Sequence, residues 1–471
     1  MLGGAFLAAI ESTIVATAMP TVVEHLGGLD HYSWVFTAYI LTSTVTIPLW
    51  GRLSDLYGRR RFYMAAVGAF LLGSMLSGVS GSMGQLVLFR AVQGIGAGGL
   101  LPLGMTIIAD LYTLEERPRA QSLFSIVWGV ASIAGPLAGG FITDHFSWRW
   151  VFYLNLPFGI AAASLVWHAL RDQERHRQHA LDVRGALVLT AAITLVLLAL
   201  EGLGAMDRFL PTGWLVASAV ASAALMVWFV RIERAAPEPI LPLDLFGNRH
   251  VATATLTGFL TGTAMFGLLS YVPLFVQSAL GRSATDAGMT LTPVLLGWVT
   301  MSLVTARVLP RVGARPLVMT GLTCLTLGFV GLLQISRGSP MWVLRADLGL
   351  MGVGMGMTML SLLLVQQNAV TVDRLGTATS LGQFSRSIGG AFGVALMGSV
   401  MGLSMAQATG LPEALALERG LRHAFAAGAF VALAALVSSW LMPAAFPRTP
   451  RARNESARPE KDARDRMIST R

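Results

Sequence analysis

GRLSDLYGRRR, residues 51–61, breaks a long apolar stretch with a burst of charge. Gly51 and Gly58 allow tight packing and a sharp turn between two helices. Asp55 stands near the end of the first helix, where it is placed to accept hydrogen bonds from Arg or from a neighbouring helix N-terminus. The full spacing G-x-x-x-D-x-x-G-R, completed by Arg59, favours a gating element over a bare run of topogenic charge. A fainter copy, ARVLPRVGARP at 306–316, puts Gly313 at the offset of Gly58 and Pro310 at that of Asp55. Parallel repeats of this kind occur in membrane proteins built from two similar six-helix halves.

The rest of the chain fits that frame. Of its 471 residues 54% are hydrophobic and 13% charged, with a mean hydropathy of +0.63; soluble domains carry about 25% charged residues. The deficit extends along nearly the whole length, so the chain reads as an all-α polytopic membrane protein. Apolar segments near 2–24, 34–52, 62–81, 84–110, 118–142, 149–169, 184–203, 212–231, 251–277, 286–307, 316–335, 342–367, 376–405 and 421–442 predict about fourteen transmembrane helices. Their uniform hydropathy excludes barrel strands, which alternate with period two.

Arginine placement tests the count. Arg52, Arg59, Arg60, Arg61, Arg117, Arg119, Arg171, Arg175, Arg177, Arg184, Arg231, Arg234, Arg249, Arg307, Arg311, Arg315 and Arg374 fall on one side, with the tail; far fewer, among them Arg149, Arg282 and Arg345, fall on the other. The positive-inside rule puts both termini in the cytoplasm of a multi-pass protein of the cell membrane. The net charge of +9 is therefore topogenic, and no nucleic-acid partner is expected.

Two polar stretches, 171–185 and 231–250, bracket one helix pair. The expected organisation is a six-helix bundle at 1–170, an inserted pair with its flanking loops at 171–250, a second bundle at 251–442 and a disordered cytoplasmic tail at 443–471. ATA at 16–18 resembles a signal-peptidase site, but no basic region precedes it and Glu11 interrupts the apolar run, so a first transmembrane helix is expected. The missing basic flank leaves open a start further upstream.

Glu11 is the outstanding residue of that helix. A charge at the bilayer centre costs about 2.5–3.5 kcal/mol on insertion scales, and such groups commonly handle protons, ions or substrate. Arg90 interrupts another apolar segment, and Arg90, Gln93 and Gly94 share one helix face. Ala131, Gly135 and Gly139 line a close-packing face of the fifth helix, which Pro136 can kink. For Arg386, early in its helix, snorkelling to the interface and a role at a cavity or gate both stay open. Gln366, Gln367, Glu24, Glu201 and Asp347 fall near helix ends, where interfacial or solvated positions are expected.

Other chemistries find no support. Lone Cys324 excludes an internal disulfide and a cysteine zinc site. No G-x-x-x-x-G-K-[ST] loop is present, and Lys461 is the only lysine. No nucleophile triad or His-based metal spacing occurs, so neither enzyme nor cofactor is expected. Energy would come from an ion gradient or from the substrate's own.

The 51–61 motif resembles the signature between helices two and three of the major facilitator superfamily. ESTIVATAMP (11–20), LVLFRAVQGIGAGGL (86–100) and VWGVASIAGPLAGGFI (127–142) resemble motifs of its drug/proton antiporter branch, and the inserted pair resembles the fourteen-helix subfamily. The resemblance implies a major facilitator fold and proton-coupled export of small amphipathic, drug-like compounds, in a protein expected to be a monomer in the bilayer. It makes Glu11 the intramembrane partner of Arg90 and a proton carrier, although Asp is commoner there, and it gives the fifth helix a sealing or bending role between the halves. A purely structural Arg–Glu pair is the alternative. An uptake symporter of the same fold and a non-transporting scaffold or receptor are the competing functions.

Overall fold

The computed structural model describes residues 2–111, 117–169, 183–204, 212–236, 241, 243–335, 339–371, 374–408 and 411–443. The 443–471 tail, but for its first residue, and most of 171–185 lie outside them. The helices are α1 (Leu2–Leu26), α2 (Tyr32–Tyr57), α3 (Arg59–Val79), α4 (Met83–Leu111), α5 (Arg117–His145), α6 (Trp150–Tyr153), α7 (Asn155–Ala169), α8 (Val183–Gly204) and α9 (Thr212–Ala235). They continue with α10 (Arg249–Leu274), α11 (Ala284–Val312), α12 (Ala314–Leu332), α13 (Met341–Asn368), α14 (Leu375–Gln407) and α15 (Glu413–Trp440). Pro157 cannot donate to the carbonyl of Tyr153, and the expected sixth helix is broken there into α6 and α7.

Among the described residues, twelve spans, counting α6 and α7 together, are long and apolar enough to cross a membrane. The fourteen expected from the sequence include α2 and α5, which are 26 and 29 residues long but less apolar. α2 is rich in Thr and Ser whose hydroxyls bond back to helix carbonyls: Thr44 to Ile40 O at 2.7 Å, and Thr46 to Thr42 O at 2.7 Å and to Ile95 O of α4 at 3.2 Å. The hydroxyls lower its hydropathy while these bonds answer their donors inside the membrane; the buried Thr37 hydroxyl is without a partner. Exposed tryptophans sit near both ends of the rods: Trp150, Trp214 and Trp342 toward the 27–31 turn, and Trp167, Trp228 and Trp440 toward the 51–61 turn. Such rings favour the two membrane–water interfaces.

Helices α1–α7 pack on one another, as do α10–α15, and the pairings match: α2 with α4 and α11 with α13, α3 with α4 and α12 with α13, α1 with α5 and α10 with α14. Glycines make this possible. A methyl added at Gly94 or Gly98 would collide with the Tyr39 or Ser43 carbonyl of α2, and one added at Gly352 or Gly356 with the Val294 or Trp298 carbonyl of α11. Gly96 meets Ala66 and Phe70 of α3, and Gly354 meets Gly321 and Leu325 of α12. Each α13 glycine lies at one common separation from its α4 counterpart, and one further separation relates Tyr39, Ser43, Ala66 and Phe70 to Val294, Trp298, Gly321 and Leu325. Gly58 and Gly313 stand at that second separation too, and both have positive φ, 105° and 85°. The faint motif repeat is therefore a repeat of backbone geometry. Between the two groups, α5 packs on α11 and α14 on α2, while α8 and α9 pair with each other and α8 covers α2 and α14.

Gly51 departs from expectation. A Cβ there would meet nothing within 4 Å, so no helix packs tightly against it. Gly313→Ala, likewise free of neighbours but strained in φ, should lower stability by about 1–3 kcal/mol, whereas Gly51→Ala should be neutral or slightly stabilising, as expected in a helix interior. Thermal unfolding of the purified protein distinguishes them.

Candidate functional site

Glu11 lies on the face of α1 turned toward α4 and α7 and is 1% exposed. Arg90 of α4, also 1% exposed, donates from Nη1 to Glu11 Oε1 in a short ion pair. The same nitrogen reaches Gln93 Oε1 at 2.7 Å, Nε donates to the Val35 carbonyl of α2 at 3.2 Å, and the guanidinium lies 4.1 Å from the centre of the Tyr39 ring. Asn155, the first residue of α7, donates from Nδ2 to Glu11 Oε2 at 2.6 Å and to Ser74 Oγ at 3.0 Å. Ser74 in turn donates to Phe152 O at 2.7 Å. Both carboxylate oxygens thus accept a charge-assisted or amide bond, the condition under which a buried ion pair is tolerated. Gln93 Nε2 is buried without a partner.

The site therefore joins three of the residues singled out from the sequence: Glu11, Arg90 and Gln93. Arg386 is not among them. It lies on α14, bonded to Gln383 Oε1 and 3.5 Å from Met359 Sδ of α13. Asn155, Ser74 and Tyr39 were not legible, because an amide, a hydroxyl or a phenol in an apolar run has no charge to draw attention.

The two groups of helices differ here. The separations that carry Ile10 and Ile14 of α1 onto Phe259 and Thr263 of α10, and Gly94 onto Gly352, carry Glu11 onto Leu260 and Arg90 onto Leu348. The ion pair has an apolar counterpart in the second group.

Two residues past Glu11, α1 meets α5. Ala131 is fully buried, and a Cβ at Gly135 or Gly139 would collide with Thr13 or Thr17 of α1, whose hydroxyls bond Ile10 O at 3.1 Å and Ile14 O at 2.8 Å. The adjacent face of α5 abuts α11: Gly288 lies against the Pro136 carbonyl, and Gly140 against Ala284 and Thr285. Asp144 accepts from the backbone N–H groups of Ala284 at 3.1 Å and Thr285 at 2.7 Å, an anion at a helix N-terminus. Further ties at this end run from Gln277 Nε2 to Thr17 O at 2.8 Å and from Tyr32 Oη to Ser270 O at 2.6 Å. The small-residue face expected from Ala131, Gly135 and Gly139 is present, and Pro136 lies on the seam between the two groups.

At the 51–61 turn, Arg59 donates to Ser54 Oγ at 2.7 Å, Ser54 donates to Gly51 O at 2.6 Å, and Gly58 N closes α2 on Ser54 O at 3.1 Å. Arg60 lies 3.8 Å above the Trp167 ring of α7. The Asp55 side chain lies outside the described residues. Gln366, expected at the interface, is instead buried and donates to Thr255 Oγ1 of α10 at 3.1 Å, because α10 and α14 cover the end of α13.

Paired helix bundles closing on a seam, with a charged pair sealed inside one of them, define a polytopic membrane transporter. Residues 1–394 match the model of the Major Facilitator Superfamily, and the chain belongs to that family. It is 37% identical over 397 residues to the Multidrug transporter protein MdtP of Bacillus subtilis (strain 168), covering 84% of this chain and 73% of that one. It is 36% identical over 404 residues to Multidrug resistance protein 3 of the same organism, covering 85% and 78%. Among solved structures, a crystal structure of a D-xylose-proton symporter superposes with a TM-score of 0.68 at 15% identity, covering 95% of this chain and 98% of that one. An inward-facing, occupied bacterial homolog of the human lysosomal transporter Spinster gives 0.66 at 16%, covering 94% and 95%. These two likenesses concern the fold alone.

Replacing Arg90 alone by Leu should destabilise the protein by about 3–5 kcal/mol, since Glu11 is left as a buried unpaired charge. The double change Glu11→Leu with Arg90→Leu, which installs the residues of the second group, should recover most of that loss. A double-mutant cycle by thermal unfolding measures the recovery.

Proposed function

We propose that this transporter is a proton-coupled antiporter that exports small amphipathic, drug-like compounds across the cell membrane by alternating access. The observation that carries this reading is the buried Glu11–Arg90–Asn155 cluster, present in one group of helices and replaced by Leu260 and Leu348 in the other. A proton added to Glu11 removes the charge that holds α1 to α4 but does not orphan Arg90, which keeps Val35 O, Gln93 Oε1 and the Tyr39 ring. The loosened α1 bears on α5 through Thr13 and Thr17, and α5 bears on α11 through Pro136 and Gly140. Protonation thereby reaches the seam between the halves. Relatives named as multidrug transporters support a drug-like cargo.

The organisation that fits is a bundle at 1–170, an inserted pair at 171–250, a second bundle at 251–442 and a cytoplasmic tail, with α2 and α5 crossing the membrane as well to give fourteen spans. Arginine asymmetry puts the 51–61 turn and both termini in the cytoplasm, so the end closed by Asp144, Gln277 and Tyr32 is the outer one. A membrane potential then adds about 2.3 kcal/mol per net charge moved per 100 mV.

The test is reconstitution in liposomes with an imposed pH gradient and a fluorescent cationic dye as cargo. Wild type should move dye against proton flow, and Glu11→Gln and Arg90→Ala should lose the gradient-driven component. Undiminished gradient-driven efflux by Glu11→Gln would overturn the mechanism.

A further inference from the structure

Two seams join the groups of helices, α5 with α11 and α2 with α14. The α5 and α14 frames correspond: Gly135 and Gly139 face the Ile10 and Ile14 carbonyls of α1, and Gly389 and Gly393 face the Phe259 and Thr263 carbonyls of α10. The one separation that carries the first two glycines onto the second two carries Asp144 onto Gly398. The first seam is thus closed at its outer end by an acid of its own, Asp144 on the α11 N-terminus, and the second seam has glycine in that place. A Cβ at Gly398 would press on Tyr271 Oη and on Ser33 of α2.

The acid at the second seam comes from the inserted pair. Glu201, near the end of α8 and expected from sequence to be solvated, is enclosed there and accepts from Ser33 Oγ at 2.6 Å. Leu200, just before it, accepts through its carbonyl from Ser399, just after Gly398. Adjacent residues of α2, α14 and α8 therefore meet at one point. The pair is also held to the second bundle at its other end. The turn at Leu243–Gly247, between α9 and α10, docks on the α13–α14 turn: Asp244 pairs with Arg374, Asn248 Nδ2 donates to Ala369 O at 2.8 Å, and Leu245 packs with Val370, Ala378 and Leu381. Toward the first bundle the contacts are of another kind. Leu41 and Val45 of α2 share an apolar cluster with α8 and α14, without directional bonds. The Ser33–Glu201 bond is answered on one side only, since Glu201 Oε1 is sealed from solvent and has no partner. A buried acceptor without a donor is a cost that water relieves once the contact parts, which suits a latch better than a permanent brace.

We infer that the inserted pair moves with the second bundle and that Glu201 is its latch on the first, closing the α2–α14 seam at the outer end as Asp144 closes the α5–α11 seam. Outer opening parts Ser33 from Glu201 and leaves Leu200 on Ser399. The inference rests on the alternating access and the orientation proposed above, and on neither the proton coupling nor the cargo.

The reporter is Met405→Cys in a Cys324→Ser background, since Met405 is 6% exposed and lines the small cavity beside Glu201. Right-side-out vesicles are treated with a membrane-impermeant maleimide. Ser33→Ala and Glu201→Ala should each speed labelling several-fold, and the two together should be no faster than either alone, because one bond is lost in all three. Glu201→Gln, which still accepts from Ser33, should label at the reference rate. Unchanged rates in both single variants, or additive effects in the double one, would overturn the latch. A second measurement leaves the latch residues in place: electron-spin distances from Trp214→Cys, on the inserted pair, to Leu411→Cys of the second bundle and to Phe146→Cys of the first, all exposed at the outer end. The Trp214–Leu411 pair should show one distance and the Trp214–Phe146 pair a second, longer population. Two populations in the former, or one in the latter, would show that the pair does not move with the second bundle. Neither readout needs a proton gradient or a cargo, so failure here leaves the efflux reading standing, and the reverse holds too.

Discussion

A carboxylate and a guanidinium sealed in hydrocarbon are costly unless hydrogen bonds answer their own polar atoms. The ring about Glu11 meets most of that demand: two donors for the acid, and an acid, an amide, a carbonyl and a ring for the arginine. Those groups come from α1, α2, α4 and α7, so one pair fixes the mutual placement of four helices. An ion pair of this kind contributes little net stability against a well-packed apolar alternative. The second bundle illustrates the alternative with Leu260 and Leu348 on the same scaffold. The charged version in the first bundle is therefore better explained by a requirement for change than by a requirement for strength.

The scaffold itself rests on backbone contact. In lipid, apolar side chains gain little by meeting each other, and helices associate through close packing of small residues. Gly94, Gly96 and Gly98 open α4 to α2 and α3, and Gly352, Gly354 and Gly356 do the same for α13. A helix with glycine on two faces can serve as the hinge-free centre of a bundle. The small residues of α5 serve differently, since Gly135 and Gly139 engage its own bundle while Pro136 and Gly140 engage the other. One helix thus packs in both groups.

Much of this was legible because charge and glycine are conspicuous in an apolar chain. Glu11 and Arg90 declared themselves, and the offset of Gly58 and Gly313 anticipated a shared positive-φ turn. Neutral polar groups were silent: Asn155 and Ser74 complete the site but look like tolerated residues in a helix. Position near a helix end also misled. Glu201 and Gln366 read as wet, yet α8 lies against α14 and the end of α13 is covered by α10, facts set by tertiary packing alone. Arg386 drew attention by its charge, but its guanidinium is held within the second bundle by Gln383 and Met359. The hydropathy of α2 was lowered by hydroxyls that mostly bond helix carbonyls of α2 and α4, which a composition average cannot recognise.

That same helix links the two enclosed carboxylates. Ser33 of α2 donates to Glu201, while Val35 O and the Tyr39 ring, less than two turns further on, hold Arg90 against Glu11. Beyond them, Thr42 bonds the Ala91 carbonyl of α4 at 2.9 Å, so α2 is tied to the backbone that carries Arg90 as well as to its side chain. The two acids sit on different helices, α1 and α8, and α2 is the element that touches the surroundings of both.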